Sequence, residues 1–124
     1  MAAPNLGLPT TITGKTASAT PAVTTATVLL ANPASSGKVL KIENIVATNV
    51  DATTTYTASV GTNTAADGSG TSSSLILAVP IPVQAAIIVT DKTTSFYLEE
   101  NRSIVVTSGT ASKITYTVSY EEIS

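Results

Sequence analysis

Along most of this chain apolar and polar residues alternate one for one, the period of a β-strand with one buried face. Nowhere do apolar residues recur at helical spacing for more than about two turns. The clearest alternation is near the end, where Ile114, Tyr116, Val118 and Tyr120 interleave with Thr115, Thr117, Ser119 and Glu121. Between Thr53 and Val60, Tyr56, Ala58 and Val60 take one face and Thr55, Thr57 and Ser59 the other. From Lys38 to Val50, Leu40, Ile42, Val46 and Val50 share a face opposite Lys41, Glu43 and Asn49. Ile45 breaks that pattern, and a strand of this length predicts a bulge near Asn44. β-branched content predicts further strands over Thr10–Thr16, Val23–Leu30, Leu75–Val79, Ile81–Thr90, Ser95–Glu99 and Ile104–Thr107.

Turn-forming residues separate these segments. In Asn32-Pro-Ala-Ser-Ser-Gly37, Pro33 fixes φ and Gly37 accepts a positive φ. Pro80 and Pro82 divide the most apolar window, Leu75 to Val89, into two strands meeting at a proline corner, and with Gln84 they leave it short of the roughly 20 apolar residues of a membrane span. Gly61 to Ser74 is polar and glycine-bearing, which predicts a flexible loop with Asp67-Gly68-Ser69-Gly70 at its tip. Residues 1–9 have no periodicity and contain Pro4 and Pro9, so they predict an extended N-terminal arm lying on a neighbour, with Pro4, Asn5 and Leu6 as its contact candidates. They carry no basic region or apolar stretch of signal-peptide length, so no secretion signal is expected. The fold expected is all-β: one domain over 10–124, an antiparallel β-sandwich, jelly-roll-like or Ig-like, of about eight strands.

Composition sharpens this picture. Of 124 residues 43% are hydrophobic, but Ala and Val supply much of that and aromatics are 4%, so the core is expected to be thin. Charged residues make up 11%, against about 25% in an average globular protein. The surface is then mainly Thr, Ser, Ala and Asn, whose hydroxyls and methyls cost little to desolvate, and extensive subunit contacts are expected. The net charge is −2, and Lys15, Lys38, Lys41, Lys92, Arg102 and Lys113 are scattered, so no basic stripe follows a phosphate backbone and nucleic acid is not an expected partner. With no cysteine there are no disulfides or thiolate metal sites.

Candidate chemistry is sparse. Glu99-Glu100 and Glu121-Glu122 are adjacent carboxylates, but neighbours on a strand point to opposite faces, so they read as solvated strand ends. With no histidine, the Ser and Thr hydroxyls lack the usual base, and only a Ser-Lys arrangement through Lys38 or Lys113 is left. Asp67-Gly68-Ser69-Gly70 lacks the further ligands of a calcium loop, and Gly68-x-Gly70 lacks the third glycine of a dinucleotide fingerprint. Asn101-Arg102-Ser103 matches a glycosylation acceptor but reads better as a turn. No catalytic, cofactor or metal residue is nominated, and the chain is not expected to be an enzyme. Sugar binding on a sandwich uses exposed rings, and of Tyr56, Phe96, Tyr97, Tyr116 and Tyr120 the best placed is Tyr97, with Glu99 and Arg102 as companion binding candidates.

Three stretches carry a family resemblance. The first is Met1-Ala-Ala-Pro-Asn5 with Thr11-Ile-Thr-Gly-Lys15; the second is Ala34-Ser-Ser-Gly-Lys-Val-Leu-Lys-Ile42 with Ala47-Thr-Asn-Val-Asp51. The third is Phe96-Tyr-Leu-Glu-Glu100, Ser103-Ile-Val-Val106 and Val118-Ser-Tyr-Glu-Glu-Ile-Ser124. Together they resemble small virion proteins of tailed bacteriophages, particularly those of marine and cyanobacterial hosts. Where those proteins favour Glu-Gly-Asp, this chain has Glu100-Asn101-Arg102, which reverses a charge at that turn. The resemblance implies a structural protein of the particle: a capsid decoration or cement protein, made in the host cytoplasm and placed on the capsid surface. Its partners would be the major capsid protein and copies of itself, with no cofactor, nucleic acid or membrane. A neck, tail or fibre-associated component and a host-glycan-binding module are the alternatives.

Overall fold

Thr, Val and Ile crowd a helix at Cβ and pack well on a pleated surface. In the computed structural model, which describes residues 4–124, they form nine strands. These are β1 (Ile12–Ala19), β2 (Thr27–Asn32), β3 (Val39–Asn49), β4 (Tyr56–Asn63), β5 (Ser72–Ile81), β6 (Ala86–Thr90), β7 (Phe96–Leu98), β8 (Arg102–Ser108) and β9 (Ile114–Ile123). One sheet runs β1-β9-β3-β6, with β7 continuing along the same side of β3; the other runs β2-β8-β4-β5. Every pairing is antiparallel. The structure is thus all-β in two antiparallel sheets, with nine strands where about eight were expected.

The inner faces meet in one core. Ile42, Ile45, Ala47, Ile114, Tyr116 and Val118 come from the first sheet, and Ala58, Val60, Ile81, Ile104 and Val106 from the second. The strict alternation of β9 is realised: Ile114, Tyr116 and Val118 are fully buried. Tyr116 is the largest of the fully buried side chains, and its hydroxyl lies 3.0 Å from Ser108 Oγ and donates to the Thr107 carbonyl at 3.1 Å. Burial pushes its pKa up, against the hydrogen bond from Ser108.

The bulge expected near Asn44 is present, as a register shift between Ile42 and Asn44 against β9. Its effect on the faces differs from the sequence reading. One extra residue reverses the parity of all that follows. Ile45 and Ala47 therefore join Ile42 in the core, while Val46 turns outward and Val50 is 51% exposed. Asn49, expected on the wet face, is fully buried.

Three further expectations are corrected. The loop placed at Gly61–Ser74 is shorter, because β4 runs on to Asn63 and β5 begins at Ser72. What remains folds back and is held: the Ala65 carbonyl accepts from Ser103 Oγ at 2.7 Å, and Gly68, with φ +81°, rests near Val28 and Val105. The proline corner falls between Ile81 and Ala86 rather than at Pro80, which lies inside the edge strand β5 opposite Thr57, where its missing donor is tolerated. The arm is not fully extended over its described part, since Asn5 closes a turn by accepting from Gly7 N at 2.9 Å and Leu8 N at 3.0 Å. Met1 to Ala3 lie outside the described residues.

The threonine content has a structural use between β1 and β9. Thr16 with Ser119, Ser18 with Thr117, and Thr20 with Thr115 form a ladder of hydroxyl hydrogen bonds on the outer face. The two ends of the chain are tied together: Thr10 N and Thr11 N donate to the Ser124 carbonyl at 2.6 and 3.1 Å, and Ser124 N returns a bond to Thr11 O at 2.9 Å.

Candidate functional site

Tyr97, Glu99 and Arg102 come together. β7 adds to β3 through Leu40 opposite Leu98, Lys41 opposite Tyr97, and Ile42 opposite Phe96. Alternation then turns Phe96 and Leu98 inward and Tyr97 outward. Across the sandwich, Thr62 pairs with both Ile104 and Ser73, which puts Thr62 and Ser73 on the inner face of the second sheet. Between β7 and these ends of β4 and β5 the sheets are not sealed, leaving a cleft of about 320 Å³. Phe96, Tyr97, Leu98 and Glu99 line it from β7 and the residue after it, and Arg102 at the start of β8 lines it together with Thr62, Asn63, Thr64, Thr71 and Ser73.

Two buried asparagines hold the walls. Asn32 Nδ2 donates to the Leu98 carbonyl at 3.0 Å and the Lys38 carbonyl at 2.9 Å, fixing the end of β7. Asn63 Nδ2 donates to Gly70 O at 3.1 Å and Ser72 Oγ at 2.8 Å, and its Oδ1 accepts from the backbone N–H of Ala65 and Gly70, both at 2.9 Å. The β4–β5 turn is therefore shaped around one side chain.

Several charges away from the cleft are engaged. Glu122 is held by Lys38 at 2.8 Å and Lys15 at 3.1 Å, which keep its carboxyl below the usual range. Asp51 is paired with Lys113 at 3.2 Å. Burial alone would raise the Asp51 pKa, but Lys113, the backbone N–H groups of Thr54 and Thr53, and the Thr53 hydroxyl together bring it down to about 2. Lys38 and Lys113, the two lysines of the Ser-Lys reading, are thus each committed to a carboxylate. Asp67 accepts from Ser69 N at 3.0 Å and Ser69 Oγ at 2.6 Å, a local surface turn as expected. By contrast, Glu99 and Arg102 have no ion-pair partner among the described residues. The hydroxyl-bearing residues Thr62, Thr71 and Ser73 line the same cleft. Among those residues no three Asp or Glu side chains gather as a metal site would require.

Pro4, Asn5 and Leu6 do not reach this cleft. None of the three is among the residues that line it. Leu6 and Leu8 are 47% and 82% exposed. A second exposed feature lies along β5 and β6, where Leu75, Leu77, Val83 and Ile88 project into solvent, Leu77 at 72% and Ile88 at 68%. Register shifts around Val60 and a positive φ at Ala78, whose N–H donates to Ser59 Oγ at 2.8 Å, throw these β5 side chains outward. No charged residue occurs from Ser72 to Thr90.

The sequence reading missed Thr62, Thr71 and Ser73 because it assigned them to a loop, and it passed over Phe96 in favour of Tyr97. Strict strand alternation around Leu98 carries the signal for Phe96; nothing local marks the other three, which reach the cleft through sheet pairing. Compared with known protein families, characterised proteins and solved structures, the chain matches none.

Proposed function

We propose that this chain is a non-enzymatic structural protein of a tailed-phage particle, a capsid decoration or cement protein that binds the major capsid lattice and neighbouring copies of itself. The observation that carries this reading is the β5–β6 flank. Natural sandwiches guard free edges with charges, and here a continuous uncharged stretch presents four exposed large apolar side chains. Such a flank costs little to desolvate and gains on being covered. Its bulges and Pro80 interrupt the free backbone ladder, so adhesion rests on projecting side chains more than on strand addition. The exposed Leu6 and Leu8 add a second small contact, and many small contacts repeated over a lattice give high avidity. We include in the proposal the finer fold class, jelly-roll-like or Ig-like, a single domain over 10–124, and the N-terminal arm as a lattice contact.

Co-sedimentation with purified capsids tests the reading. Binding should be saturable with hundreds of copies per particle, and Leu77→Lys together with Ile88→Lys should abolish it without lowering the melting temperature, because both side chains are largely solvent-exposed. A dozen or fewer copies would move the protein to the neck or tail. A purified protein that stays monomeric and never sediments with capsids removes the proposal.

A further inference from the structure

We propose that the cleft between β7 and the adjoining ends of β4 and β5 binds a neutral saccharide, a role separate from the adhesive flank. The cleft volume of about 320 Å³ lies at the small end of ligand sites, which run from about 300 to 1,000 Å³, and suits one or two sugar rings. Its polar groups match a polyol. Glu99 offers only acceptors, Arg102 only donors, and the Thr62, Thr71 and Ser73 hydroxyls offer both. A sugar hydroxyl is at once donor and acceptor, so adjacent hydroxyls satisfy a carboxylate and a guanidinium side by side. The two charges cancel, which favours an uncharged ligand: an acidic sugar drawn to Arg102 would meet Glu99. Phe96, turned inward and half-buried against the core, supplies aromatic surface for the apolar C–H face of a ring, while Tyr97, 49% exposed, stands at the rim.

The site is also built in advance. Asn32 fixes the β7 wall and Asn63 the opposite one, so little ordering is left for the moment of binding. Asp51, Glu43 and Glu122 are each paired with a lysine and Asp67 and Asp91 with turn donors, whereas Glu99 and Arg102 line one cleft without engaging each other.

Titration of the ¹⁵N-labelled protein with lactose, maltose, chitobiose, galactose and N-acetylglucosamine, followed by NMR, tests this. At least one of these should shift the amides of Thr62, Thr71, Ser73, Tyr97, Glu99 and Arg102 saturably. Arg102→Ala and Glu99→Gln should each weaken that binding by about tenfold, as loss of a charge-assisted hydrogen bond does, with the melting temperature unchanged. The Leu77→Lys, Ile88→Lys protein should keep sugar binding, which separates this inference from capsid adhesion. Absence of saturable shifts with all five sugars at about 10 mM, binding indifferent to both cleft variants, or binding confined to glucuronate and sialic acid would each overturn it.

Discussion

Replacing Asn49 by Ala should be among the most damaging single changes in this protein. The side chain is fully buried at the end of β3, its Nδ2 donating to the carbonyls of Thr54 and Ile81, both at 2.9 Å, and its Oδ1 accepting from Asp51 N at 2.9 Å. Alanine leaves up to three backbone groups without this partner, two of them, the Ile81 carbonyl and the Asp51 N–H, in buried bonds. A buried polar group left unpaired costs about 1–3 kcal/mol, so a total of about 3–5 kcal/mol is expected, allowing for partial relaxation. Native domains hold only about 5–15 kcal/mol in all, so the variant should be near the limit of folding. Equilibrium urea unfolding would read the loss directly, and the melting temperature should fall by roughly 10–20 °C. Asn49→Asp keeps the acceptor for Asp51 N but turns a carboxylate toward two carbonyls, so it should be no better than alanine. A loss below about 1 kcal/mol for alanine would refute the reasoning, since it would mean the three bonds are readily replaced.

Acid should weaken the fold in a defined window. Asp51 titrates near 2 in the folded chain against an ordinary 3.8, and Glu122 is also depressed, so the unfolded state takes up protons first as pH falls. Their contribution is full above about pH 5 and is lost progressively toward pH 2; a melting temperature that stays level down to pH 2 would contradict it. Gly61→Ala should cost about 1–3 kcal/mol, because the added Cβ would stand 2.6 Å from the Ser73 carbonyl oxygen, a backbone atom of the paired strand. Thermal unfolding measures it, and a neutral result would mean that β4 and β5 lie further apart. Tyr116→Phe should cost about 1–2 kcal/mol through the lost bonds to Ser108 and Thr107, read by the same assay, and an unchanged stability would contradict it.

The legible parts of this fold were those where the period held. β9 is read correctly because Ile114, Tyr116 and Val118 alternate without interruption, and β4 because Ala58 and Val60 do. β3 is half misread: the pattern locates its bulge, but a periodicity argument cannot carry a face across an inserted residue, so Val46 and Asn49 were placed on the wrong sides. The ends of β4 and β5 are Ser, Thr, Asn and Gly, which read as loop because their strand character comes from pairing, β4 with β8 and β5 with β4, rather than from their own propensity. The cleft was visible only in the segment that joins β7 to β8. Tyr97, Glu99 and Arg102 are neighbours in sequence, whereas Thr62 and Ser73 join them through sheet register. Buried asparagines at strand ends look the same as surface ones until the carbonyls they serve are placed.

The bonds joining Thr10 and Thr11 to Ser124 make the polypeptide nearly a closed ring, cut at a single place. A short tether across that cut, with new termini opened in the turn between β4 and β5, would preserve every strand pairing in a permuted order. A fluorophore attached at Ser124 lies next to Thr10 and Thr11, so changes around the segment before β1 can be followed from a position distant in sequence.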